Sequence, residues 1–511
     1  MSFSRSKLLN LLRSRQSIVA GTIWLTAFTF SSKLLGFIRQ MLTGALFGTT
    51  KGFDAVIIAQ QPAGFVSGII ASSFATIAIP LYLEEKVKNG DESAKRFARS
   101  LLSFTSIFLI LFGALLFVFP AIFVKLFAPG FPKSTLLLAD NYLRIFSVLP
   151  LFTGLRNLFG TFLRAERMFF QYALSGFMFN LVAIPVLWLL APIMSTGAYA
   201  AAWTLGTAVV ALVSFSLGRN VWTAFPFAKP FTRQMLRALY LASPLFLSIM
   251  IGTINNIVDK AFASTLAVGS ISALTYSYTI VGMITGLATS GLITSSFTSV
   301  SESASVMDNE ALRVKTVKLN EAIIKILAPA AAFTIVAAYW IVAVIYQRGE
   351  FTSKSTMMTS PALIAYAFMI VTGPLSGILG NLYIAKKQTL RLTLISVPFI
   401  LLNAVMDWWL MGPFKQAGIA ASSSVVSLAW VITLTFDLKH HYKITHLFSI
   451  KTILPILTSL LYIYVFTFPL SNMAYVPKII LEIFLTTVAI LYFARNEVNV
   501  ILRKIRRKKE N

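Results

Sequence analysis

The chain has 511 residues, 57% of them hydrophobic and 12% charged, with a formal net charge of +26 and no cysteine. That composition belongs to membrane proteins rather than soluble domains. The surplus of Lys and Arg reads as topology-setting charge in loops rather than a nucleic-acid surface. The absence of cysteine excludes disulfides, a thiolate nucleophile and Cys metal sites.

Apolar runs long enough to cross a bilayer as helices recur from end to end, so the expected fold is an all-α polytopic membrane protein. After a basic N-terminus at 1–16 come about fourteen spans: 17–40, 55–82, 101–127, 136–163, 169–192, 197–218, 236–265, 271–299, 320–346, 359–385, 390–411, 416–438, 449–470 and 475–494. No small-residue cleavage site follows the first run, which is read as an uncleaved span. The loops test this count. The two tails and the even-numbered connections hold about thirty Lys and Arg, and the odd connections about seven. By the positive-inside rule both termini are cytoplasmic, as is the basic tail at 495–511.

An internal repeat runs at an offset of about 220 residues. Gly64 and Gly68 align with Gly282 and Gly286, Gly160 and Ala165 with Gly380 and Ala385, and Ala198 with Gly418. Shared offset and order carry the match, since single small residues are common in membrane helices. An even number of spans per copy makes the copies parallel repeats. Two six-helix lobes related by a pseudo-twofold are expected, at 17–218 and 236–438. An interfacial linker at 219–235 joins them, and two C-terminal helices at 439–494 lie outside the repeat. Two such lobes suggest alternating access around a central site.

The stretch from Ser32 to Pro80 is apolar and rich in small residues, yet it carries Lys33, Arg39 and Asp54. Charges at bilayer depth usually face a protein interior or a wet cavity, so this stretch reads as a pathway wall. Lys33 and Arg39 suit an anion, with Arg39 offering a fork to phosphate. The alternative is that Arg39 is structural, pairing with Asp54 or snorkelling. On the repeat offset Lys260 matches Arg39 and lies beside Asp259. Asn403 and Asp407, one helical turn apart, offer oxygens to a hard cation, and Asp259 would join them. Alternatively, Asp407 beside Trp408 and Trp409 marks the membrane interface. His440, His441 and His446 read as a solvated face rather than a metal site. No nucleotide-binding or hydrolytic motif appears, so the chain reads as a transporter and not an enzyme.

At SKLLGFIRQ, FGTTKGFDA, the Pro62–Pro80 segment and the loops APGF and GEF, the chain resembles the MurJ/MviN family of fourteen-helix lipid II flippases. That family sits in the multidrug/oligosaccharidyl-lipid/polysaccharide exporter superfamily. The resemblance implies substrate-binding roles for Lys33, Arg39, Asp54 and Lys260. It implies a sodium site at Asp259, Asn403 and Asp407, with Ser423 near the matching hydroxyl, and a groove for the lipid tail in the last two helices. No cofactor is implied beyond sodium as a coupling ion. The partners expected are the lipid-linked saccharide and membrane lipids, with the chain a monomer in a bacterial plasma membrane. The chain departs from the family pattern at Gln40, where an acidic residue is usual, and at Val66, Ser67 and Thr279, where arginines are expected. Those neutral positions keep other lipid-linked oligosaccharides open as substrates. A cation-coupled drug exporter and a non-transporting scaffold are the rival readings.

Overall fold

A computed structural model describes residues 18–218, 228–286, 309–386, 388–444, 447–467, 475–493 and 495. The basic N-terminus, residues 219–227 of the linker and the tail beyond 495 lie outside the described residues. Those described are helical with connecting turns, and none is in a strand. Among the described residues, eight helices are long and apolar enough to cross a membrane, or ten if each of two bent pairs is one span. The exact count of fourteen is not confirmed, since parts of the expected spans, 287–299 among them, lie outside the described residues. Residues Thr389–Tyr442 run as one 54-residue helix on hydrogen bonding, although Lys415 (φ 52°, ψ −132°) breaks it into the two spans expected there.

Packing divides the chain into two compact units, Met1–Gly269 with Arg348–Phe351, and Ser270–Gln347 with Thr352–Asn511. The first contains α1 (Ile18–Phe47), α2 (Lys51–Asn89), α3 (Asp91–Val118), α4 (Pro120–Phe127), α5 (Lys133–Phe146), α6 (Leu149–Ala165), α7 (Phe169–Met194), α8 (Gly197–Leu217) and α9 (Arg233–Ala263). Helix α2 starts on Thr50, whose hydroxyl accepts from the Phe53 amide, and stops at Gly90 with Lys86 and Lys88 in its last turn. Those are ordinary helix start and stop signals. The core of this unit joins Phe74, Tyr82, Phe97, Leu101, Leu158 and Phe162 to Met235 and Ala238 of α9. This explains why α9, which opens the second sequence copy, packs with the first.

The second unit holds a helical stretch at 270–286, then α10 (Asn309–Val336), α11 (Ala338–Tyr346), α12 (Ser353–Tyr366), α13 (Met369–Ala385), α14 (Thr389–Tyr442), α15 (Ile453–Thr467) and α16 (Tyr475–Phe493). The repeat is visible in its boundaries. Helices α12 and α13 begin and end 220 residues after α5 and α6, and α14 begins 220 after α7. Each bent pair turns by a similar angle, 40° in the first copy and 42° in the second. Ser195 joins α7 to α8 with φ 49° and ψ −132°, and Lys415, 220 residues on, has nearly the same backbone. Positive φ is rare for side chains with a Cβ, so its recurrence marks a shared tight reversal. Toward the start of the repeat the register drifts: at a strict offset of 220, Arg39 falls on Asp259 and Gln40 on Lys260.

Two loops are exchanged between the copies within the first unit. The Gly130 amide donates to Ser264 Oγ at the end of α9 (3.0 Å), while the Glu350 amide donates to the Ala45 carbonyl on α1 (2.8 Å). Gly48 and Gly349 both have positive φ, and a Cβ on either would meet backbone across this contact. Only glycine allows so close an approach.

Apolar side chains cover the outside. Leu111, Leu115 and Val118 on α3, Trp188 and Ile193 on α7, and Trp408 and Trp409 on α14 are exposed. An apolar girdle of this kind suits hydrocarbon as solvent.

Candidate functional site

A cavity of about 350 Å³ lies inside the first unit, walled by four helices. From α1 come Leu25, Phe28, Thr29, Ser32 and Lys33, spaced as one stripe of a helix. Small residues Ala71, Ser72 and Ala75 of α2 leave room for it, and α7 contributes Tyr172, Ala173, Ser175 and Gly176. The α6 wall supplies Arg156, Asn157, Thr161 and Arg164. Among the described residues, three cations line the cavity, and no Asp or Glu does. With apolar walls lowering the local dielectric, such a hollow focuses positive potential and favours an anion.

Lys33, expected on a pathway wall, lines this cavity. Sequence reasoning misses Arg156 and Arg164, the latter lying just past the expected span 136–163. The signal available was an arginine within the apolar span 136–163. Arg39 is not among the lining residues. Its Nε donates to Asn180 Oδ1 (3.1 Å), and its guanidinium stacks 4.3 Å from the Trp203 ring and 5.4 Å from Phe179. Asn180 in turn donates to the Ser32 carbonyl and hydroxyl (3.0 and 3.2 Å). Arg39 thereby braces the α1 segment that carries Lys33 against α7 and α8. Asp54 is buried in the first turn of α2 and accepts from the Gly269 amide at 2.6 Å. Lys260 and the buried Asp259 lie in the last turns of α9.

The second unit holds the other polar cluster. Asn403 and Asp407 are both fully buried on α14, and Asn403 Nδ2 donates to Asp407 Oδ2 (3.1 Å). The hydroxyl of Ser422, beyond the Lys415 break, donates to Asp407 Oδ1. Ser422 is one residue before the Ser423 expected from the sequence. Trp408 and Trp409 point outward while Asp407 points inward, so Asp407 is no surface interface marker. The cluster holds carboxylate, amide and hydroxyl oxygens, the ligand types a hard cation takes, although here the amide turns its nitrogen toward Asp407. Asp259, expected to complete it, belongs to the first unit. Among the described residues no cluster of three His, Asp or Glu suits a metal. His441 bonds Asp437 at 3.1 Å, and His446 lies outside the described residues.

Solved structures, one of them from a member of the MOP superfamily, share this fold. A MATE family multidrug transporter of that superfamily, in its inward-facing conformation, superposes with TM-score 0.65 at 13% identity over 87% of this chain and 96% of its own. A lipid II flippase MurJ in its inward closed conformation superposes with TM-score 0.79 at 22% identity, covering 94% of this chain and 100% of that one. A probable lipid II flippase MurJ of Buchnera aphidicola subsp. Schizaphis graminum is 26% identical over 468 residues, 90% of each chain. One from Rickettsia prowazekii is 24% identical over 436 residues, 82% of this chain and 83% of that protein. The family model described as lipid II flippase MurJ matches residues 43–494. The chain belongs to the MurJ family.

Proposed function

We propose that this protein is a flippase that carries a polyprenyl-diphosphate-linked saccharide, lipid II, from the cytoplasmic to the outer leaflet by alternating access. The observation that carries the proposal is the cavity lined by Lys33, Arg156 and Arg164 without a carboxylate, in a chain of this family. The headgroup enters the cavity while its tail stays in the bilayer, with α15 and α16 offering the tail a groove. Lys33 contacts the anionic head. Arg39 holds Lys33 in place, Asp54 fixes the start of α2, and Lys260 adds positive charge on α9. Asp407, Asn403 and Ser422, with Ser423 beside them, would hold sodium. Bound there, sodium supplies neutralisation of buried carboxylate charge. The protein acts as a monomer in the bacterial plasma membrane with both termini in the cytoplasm. A cavity walled by cations disfavours a cationic drug as substrate.

Reconstitution in vesicles tests this. Fluorescent lipid II should reach the opposite leaflet only with protein present, and faster with a sodium gradient. Transport of another polyprenyl-linked oligosaccharide in preference to lipid II would change the substrate. No transport of either would overturn the flippase reading.

A further inference from the structure

Arg156 lies in the middle of α6 and Arg164 in its last turn. Eight helical residues span a rise of about 12 Å and a net rotation of about 80°, so both side chains leave neighbouring parts of one face. That face is the α6 wall of the cavity. Each guanidinium lies on an aromatic ring of α7, Arg156 over Phe179 at 5.8 Å and Arg164 over Tyr172 at 4.8 Å. Stacking fixes the guanidinium plane and leaves its edge to donate in the forked geometry that suits phosphate oxygens. Asn157 adds a neutral amide between the two arginines, and Thr161, whose hydroxyl donates to the Asn157 carbonyl (2.8 Å), accepts from the Arg164 guanidinium (3.4 Å). Helix α2 brings no cation to this hollow. Its Val66 lines a separate, wholly apolar cavity, and the Ser67 hydroxyl is turned back onto the Ala63 carbonyl (2.6 Å).

We propose that Arg156 and Arg164 are the diphosphate-binding residues of the substrate site, facing Lys33 across the cavity, with Arg164 at the helix end and Arg156 about two turns deeper. This deepens the flippase reading and rests on it for the identity of the substrate, but the site predicts a chemistry of its own: a diphosphate on a lipid.

The test measures binding of a polyprenyl diphosphate and of the matching polyprenol to the purified full-length protein in nanodiscs. Wild type should prefer the diphosphate at least about tenfold, and Arg156→Gln and Arg164→Gln should each lose about tenfold in diphosphate affinity alone. Arg156→Lys should lose less, since it keeps the charge but not the fork. Lys125→Gln, on an exposed position of α4, should bind as wild type. A measurement on the unaltered protein guards against variants that misfold. Phenylglyoxal labelling of Arg156 and Arg164, read by mass spectrometry, should slow when polyprenyl diphosphate is bound, while exposed Arg167 labels at its usual rate. Equal binding of diphosphate and polyprenol, wild-type affinity in folded glutamine variants, or labelling unaffected by the ligand each overturns the site, whatever the transport assay gives. If binding and protection behave as expected and lipid II does not move, the flippase reading falls and the diphosphate site stands.

Discussion

The two copies of the repeat share helix boundaries to the residue over α5–α6 and α12–α13, yet they divide the charges between them. In the first copy α6 carries Arg156 and Arg164; 220 residues on, α13 has Ser376 and Ile384. In the second copy Asn403, Asp407 and Ser422 form a buried polar cluster; their counterparts Ala183, Leu187 and Ala202 are buried and apolar. One backbone thus carries a wall of arginines in one copy and a buried polar cluster in the other. The shape comes from helix lengths and small-residue contacts, and the chemistry from a handful of substituted positions.

That comparison breaks most visibly if charge is moved without its partners. Leu187→Asp puts a carboxylate where the first copy has no amide or hydroxyl to receive it, so it should cost several kcal/mol and show as loss of folded protein in detergent. Next, Arg39→Ala removes a bond to Asn180 and stacking on two rings. It should lower stability by about 3 kcal/mol and abolish lipid II transport, as read by thermal unfolding and the vesicle assay. Tyr383 donates to Asp437 at 2.7 Å, beside the Arg391–Asp437 pair, whereas Leu163 stands at its place in the first copy. Tyr383→Phe should cost about 1–2 kcal/mol in the same unfolding measurement. The smallest change in stability should come from Asn403→Ala, Asp407→Leu and Ser422→Ala made together. These give the second copy the residues of the first and leave no member of the cluster without its partners. Stability should shift by no more than about 1 kcal/mol, while any acceleration of transport by sodium should disappear. Retention of that acceleration would remove the cluster from ion coupling.

Much of the fold could be read from the chain. The 220-residue offset rested on glycines and alanines, which recur because close helix contacts need them, and the same contacts set the helix ends in space. Lys33 was legible because a charge in an apolar run needs a wet or paired environment. Arg39 shows where such reading stops. Its partners Asn180, Phe179 and Trp203 are 140 or more residues away in the chain, and nothing local distinguishes a braced arginine from one facing a cavity. Arg164 was hidden by its position at a helix end, where loop charge and cavity charge look alike. Ser422, next to the expected Ser423, was not singled out because a run of three serines offers three hydroxyls at different angles around one helix.

The exchanged loops bear on how such a protein arises and how it may be cut. The loop at Gly130 rests on the helix that opens the second copy, and the loop at Glu350 on the helix that opens the first. A gene severed between the copies would therefore encode two fragments, each lacking the docking surface for its own loop. Such fragments should survive only when co-expressed, as complementing pieces rather than as autonomous halves.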